Sequence, residues 1–97
     1  MDLNYFGSMQ KMVNNKIDWF ELWFDDKKSI INTMERNIQS DLDAGYDPLG
    51  HIITKQVDNL NDYIDQFNYD IEMLQMMTEE ETNHWCRLDM KKRGAID

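Results

Sequence analysis

Between Ile53 and Leu74 the apolar residues Ile53, Val57, Leu60, Ile64, Phe67, Ile71 and Leu74 alternate steps of four and three without a miss. That spacing is a heptad seam, so the segment is read as a helix with one face pressed on another helix. With Val57, Ile64 and Ile71 at position a, β-branched residues fill every a site, and Ile53, Leu60, Phe67 and Leu74 take position d. Upstream, Ile17, Phe20, Phe24, Lys27, Ile31, Met34 and Ile38 repeat the alternation. Lys27 is the only polar member, either snorkelling to solvent or fixing register and oligomer state.

Two seams predict two helices, joined through Asp43-Ala44-Gly45-Tyr46-Asp47-Pro48. Gly45 suits the left-handed position beyond a helix end, Asp47 an N-cap and Pro48 a first helical turn. So short a link permits only an antiparallel return. Facing positions then have residue numbers with a constant sum, from Ile38 with Ile53 to Ile17 with Leu74, and each pair joins an a site to a d site. The expected fold is all-α: a coiled-coil-like antiparallel helical hairpin with short terminal helical segments, all in one domain of residues 1–97. Arm 1 covers about 16–44, the turn 45–47, arm 2 about 48–78 and a C-terminal helical segment 79–93.

The ends admit two readings. Leu3, Phe6, Gln10 and Val13 continue the first seam in phase, and Thr78, Glu81, Trp85 and Leu88 continue the second, pairing Phe6 with Trp85 and Leu3 with Leu88. Against this, Asp18 with Glu21 and Thr78 with Glu81 have capping-box spacing, which would hinge short terminal helices near residues 15 and 78. Continuation of the hairpin is the favoured expectation. Lys91-Lys92-Arg93-Gly94 then makes a good helix ending, its cations complementing the dipole.

Trp19, Leu22 and Trp23 lie off the seam, as do Tyr63, Tyr69, Met73, Met76 and Met77. A helix with two apolar faces has two neighbours. The first explanation is a second copy, giving a homodimeric four-helix bundle through Trp19, Trp23, Tyr63, Met73 and Met77; terminal helices folded back on the patch come next, then a partner protein.

Charge is the other constraint. The chain of 97 residues carries a formal net charge of −9. From Asn37 to Glu81, eleven acidic residues stand against one base, Lys55, so the excess resides in the turn and second arm. Asp58, Asp62, Asp65 and Glu72 occupy b and f positions, opposite the seam. Exposed helices ordinarily mix signs at i to i+4, and this stripe does not. Carboxylates at that spacing lie roughly 5–6 Å apart, comparable with phosphates along a nucleic-acid strand. Positions b and f face water and are charged in any exposed helix, so a solvated face is the first reading; the second is that such a face fits a basic groove and repels both nucleic acid and anionic membrane.

Chemistry-bearing motifs are missing. Cys86 is the single cysteine, which excludes an intramolecular disulfide. His84 and Cys86, two apart on a helix, point away from each other, and the one Glu-x-x-His, Glu81 to His84, lacks the second pair that di-iron bundles need. There is no nucleophile elbow, phosphate loop or inward carboxylate pair, so no enzyme, metal or cofactor is expected. No long apolar run or signal-peptide pattern occurs, and the expected setting is cytoplasmic, with no membrane contact.

In architecture the paired hairpin resembles the Rop-type plasmid regulators, although those bind RNA through basic and aromatic faces that this acidic arm lacks. In size and charge the chain resembles the small acidic inhibitors encoded by phages and mobile elements. The expected function is a non-enzymatic interaction protein whose residues Asp58, Asp62, Asp65, Asp70 and Glu72 bind a basic surface of a partner, inhibiting a nucleic-acid-handling protein by mimicry. The alternative is a structural or adaptor subunit acting through homo-oligomerisation.

Overall fold

The computed structural model describes residues 18–96, which form three helices and no strand: α1 (Trp19–Asp43), α2 (His51–Gln75) and α3 (Glu79–Lys92). They divide into two compact units. One comprises residues 27–74, the other residues up to Asp26 together with Gln75 onward.

In the unit 27–74, the seam of α2 is buried most deeply at d positions. Ile53, Phe67 and Leu74 are buried, whereas Ile64 and Ile71 at a positions are half-buried and Val57 is exposed. Each fully buried side chain of this size contributes about 1.5–3 kcal/mol. Gln56 Nε2 donates to Asp41 Oδ2 at 2.8 Å, and Lys27 Nζ lies 4.8 Å from the Tyr63 ring centroid. Lys27 therefore does not snorkel to water. Only 6% of its surface is exposed, and its cation rests on an aromatic face inside the unit.

The connector is built by backbone rules. Tyr46 N–H donates to the Asp41 carbonyl and Gly45 N–H to that of Leu42, a Schellman ending with Gly45 at φ 100°. Asp47 Oδ1 then accepts from Leu49 N–H at 3.0 Å, and Gly50 N–H donates to the Asp47 carbonyl at 2.9 Å. Asp47 thus closes a turn through Pro48 instead of capping the helix directly, and α2 starts at His51, later than the expected 48. The physical reason is Gly50, whose carbonyl accepts the Thr54 N–H and so takes the cap position itself.

The second unit overturns the expectation that arm 2 runs on to the C-terminus. α2 stops at Gln75, and α3 begins after Thr78, whose side chain accepts from Glu81 N–H while the Glu81 carboxylate accepts from Thr78 N–H. This capping box satisfies two orphan donors that a continuous helix would have used internally, and three acids in the first turn complement the dipole. At the far end Arg93, Gly94 and Ala95 N–H groups close on Asp89, Lys91 and Met90 carbonyls, with Gly94 at φ 79°. α1 also has a defined start, since Asp18 Oδ1 accepts from Glu21 N–H at 3.2 Å. The pairings of Phe6 and Leu3, and the continuation through Gln10 and Val13, lie outside the described residues.

Trp23 is the centre of this unit, with no exposed surface. Its ring meets Trp85 edge-on at 5.6 Å and 76°, and its Nε1 donates to Asp89 Oδ2 at 3.0 Å. Phe20 stacks against it at 6.0 Å, while Phe20 N–H donates to Asn83 Oδ1 at 3.1 Å, so α3 supplies a second cap to the start of α1. Cys86 and Met90 are buried here as well.

Candidate protein-binding face

Helix α2 positions the carboxylates. Asp58, Asp62, Asp65 and Glu72 follow steps of four, three and seven, which keeps them on one stripe of a 3.6-residue helix. All four are exposed. None has an ion-pair or hydrogen-bond partner among the described residues, whereas Asp26 and Asp89 each pair with Arg93 at 2.9 Å. The stripe is accordingly a negative surface on one helix that no described residue neutralises.

Asp70 does not belong to it. Only 7% of its surface is exposed, and its Oδ1 accepts from Gln66 Nε2 at 2.9 Å. The cause is position: Asp70 follows Phe67 by three and precedes Leu74 by four, so it shares the flank of two buried seam residues. This g-type placement was available from the heptad and marks Asp70 as a flank residue, whatever its charge.

The expected apolar docking set also divides. Trp23 is wholly internal, with α3 residues Trp85 and Asp89 on its edge and its donor. Trp19 is half-buried, with the Arg87 guanidinium carbon 5.7 Å from its ring centroid. Tyr63, Met73 and Met77 are half-buried. The most exposed large hydrophobic side chains among the described residues are others: Leu49 in the connector, Met76 just past the end of α2 and, next, Tyr69 on α2.

Glu81 and Arg93, both in structural roles, are shifted from their ordinary values. Hydrogen bonds from the Thr78 backbone and side chain hold the Glu81 carboxyl below its ordinary value. Burial lowers the Arg93 guanidinium, but hydrogen bonds and charge attraction from Asp26 and Asp89 outweigh it and leave a net rise. Glu81 is thus committed to a cap, which takes it out of any Glu-x-x-His ligand pair with exposed His84. Among the described residues no group of three or more His, Cys, Asp or Glu side chains is placed to hold a metal ion. A groove of about 180 Å³ lies between Met34, Asn37 and Ile38 of α1 and Gln56 and Asn59 of α2. Ordinary ligand pockets measure about 300–1,000 Å³. No helix among the described residues is long and apolar enough to cross a membrane.

The chain matches no protein-family model, no curated protein and no solved structure.

Proposed function

We propose that this protein is a non-enzymatic helical interaction protein whose α2 carboxylate face binds a basic surface of a partner protein. One observation carries this reading: Asp58, Asp62, Asp65 and Glu72 share an exposed stripe and none is neutralised from within the described chain. A surface that only needs to be wet is served by mixed charges, which also support the helix through i to i+4 pairs. Unpaired carboxylates on a rigid rod present charge at a spacing that a nucleic-acid-binding groove accepts. The partner is therefore a protein that handles nucleic acid, and binding blocks that access.

The finer architecture belongs to the same proposal. Residues 27–74 form an antiparallel hairpin, supported by the Asp41–Gln56 hydrogen bond near the connector and the Lys27–Tyr63 contact far from it. A homodimeric bundle relies on an apolar patch that includes Trp23, and the burial of Trp23 within the chain takes one of its two tryptophans out of that patch. Partner binding is accordingly preferred to self-assembly.

The test is capture of proteins from source lysate at low and high salt, by the wild type and by Asp58→Lys/Asp62→Lys/Asp65→Lys with unchanged helicity. Expected is salt-sensitive capture of a nucleic-acid-handling protein by the wild type alone. Equal capture by the reversed variant refutes the reading.

A further inference from the structure

Tyr69 fills the one gap in the carboxylate row of α2. It lies four residues after Asp65 and three before Glu72, on the face those acids share, and 63% of its surface is exposed. At these spacings its Cβ is roughly 5–6 Å from the Cβ of either acid. A large aromatic left mostly exposed among carboxylates on a helix face is the less ordinary half of this arrangement. Solvation explains an exposed aspartate, but it gives no reason for the ring.

The ring and the acids together select among cations. An ammonium is a compact, strongly hydrated point charge, and a carboxylate serves it as well without a tyrosine nearby. A guanidinium is planar and more weakly hydrated. It stacks flat on an aromatic face while its N–H fork, lying in the plane, reaches carboxylates at the ring's edge. The same pairings occur inside this chain, where Arg93 spans two aspartates and the Arg87 guanidinium carbon lies 5.7 Å from the Trp19 ring centroid.

We infer that Tyr69 anchors a docking face for an arginine-bearing segment of a partner protein, one guanidinium stacking on its ring between Asp65 and Glu72. The inference rests on the reading of the α2 carboxylates as a partner-binding surface, and it narrows that partner from basic to arginine-bearing.

Labelled oligo-arginine and oligo-lysine peptides of equal length and charge test it, with the full chain and its Tyr69→Leu and Tyr69→Phe variants titrated at low and moderate salt. Tyr69 is exposed, and matching circular dichroism spectra confirm that the variants fold. The wild type binds the arginine peptide about two- to fivefold more tightly than the lysine peptide, the ratio for one exposed cation–π contact of about 0.5–1 kcal/mol. Tyr69→Phe keeps that ratio, and Tyr69→Leu brings it to one without weakening lysine-peptide binding. Equal salt-dependent binding of both peptides by the wild type, or a preference that survives Tyr69→Leu, overturns the arginine inference and leaves the carboxylate face standing. Absence of salt-dependent binding to either peptide overturns both.

Discussion

Replacing Trp23 by alanine separates an internal role for this residue from a docking role. Burying a tryptophan removes about 150–250 Å² from water. At about 25 cal/mol per Å² that is a ceiling of roughly 4–6 kcal/mol. The edge-on contact with Trp85 adds about 0.5–1.5 kcal/mol, and the indole N–H to Asp89 bond about 1.5–3 kcal/mol because its acceptor is charged. These terms are measured against an unfolded chain that is itself partly collapsed, and they overlap. The expected cost of Trp23→Ala is therefore the usual about 3–5 kcal/mol for such a truncation.

A chain of this size has about 5–15 kcal/mol in total, so the loss is large. Urea unfolding followed by circular dichroism measures it, with near-ultraviolet dichroism reporting the Trp23–Trp85 pair. Trp23→Phe keeps most of the apolar volume, loses the donor and is expected to cost less than alanine. Asp89 retains Arg93 as a partner in both variants, so no carboxylate is stranded. A loss below about 1 kcal/mol for Trp23→Ala, or a loss that appears only as protein concentration falls, refutes the internal assignment and returns Trp23 to an interface between copies.

Two further outcomes test the local devices. Glu81 has a lowered folded-state pKa, so its cap stabilises α3 fully above the unfolded value and loses that contribution as pH falls through the folded value; helicity of the wild type should decline below about pH 4.5, with Glu81→Gln lower at neutral pH and flatter in acid. Gly45→Ala should cost about 1 kcal/mol in thermal unfolding, since no atom lies within 4 Å of an added Cβ and the whole penalty comes from φ 100°.

Helical type was legible because a seam without a miss admits little else, and Gly45 announced the end of α1 by its chemistry. Where α2 ends was less legible. Thr78, Glu81, Trp85 and Leu88 keep the phase of the seam, and period alone cannot tell an in-phase continuation from a new helix that starts with a cap. Thr78 and Glu81 carried the opposing signal, and the reciprocal hydrogen bonds favoured it. The apolar band around Trp19 to Phe24 announced a second neighbour and admitted a second copy, a folded-back terminal helix or a partner protein; Asn83, Trp85 and Asp89 of α3 are that neighbour, a pairing more than sixty residues apart that no local pattern selects. Charge alone groups Asp70 with the stripe, whereas its place between Phe67 and Leu74 on the seam flank buries it.

The unpaired stripe also carries a stability signature that distinguishes function from indifference. Like charges at i to i+4 on a helix destabilise it by about 0.2–0.5 kcal/mol per pair, and Asp58 with Asp62 is such a pair, with Asp62 and Asp65 close behind at i to i+3. Asp62→Asn relieves both contacts, so it is expected to raise the melting temperature slightly, and more at low salt than at high. The same change removes one carboxylate from the binding face and is expected to weaken association with a basic probe. Asp70→Asn makes the control: it leaves the exposed charge nearly intact and weakens a part-buried, charge-assisted hydrogen bond from Gln66, so it should lower stability slightly and spare binding. Opposite signs for the two variants are what a surface kept for recognition at some cost in stability requires. If Asp62→Asn stabilises the fold without any loss of binding, the stripe is an electrostatic burden with no recognition role, and the proposed function falls with it.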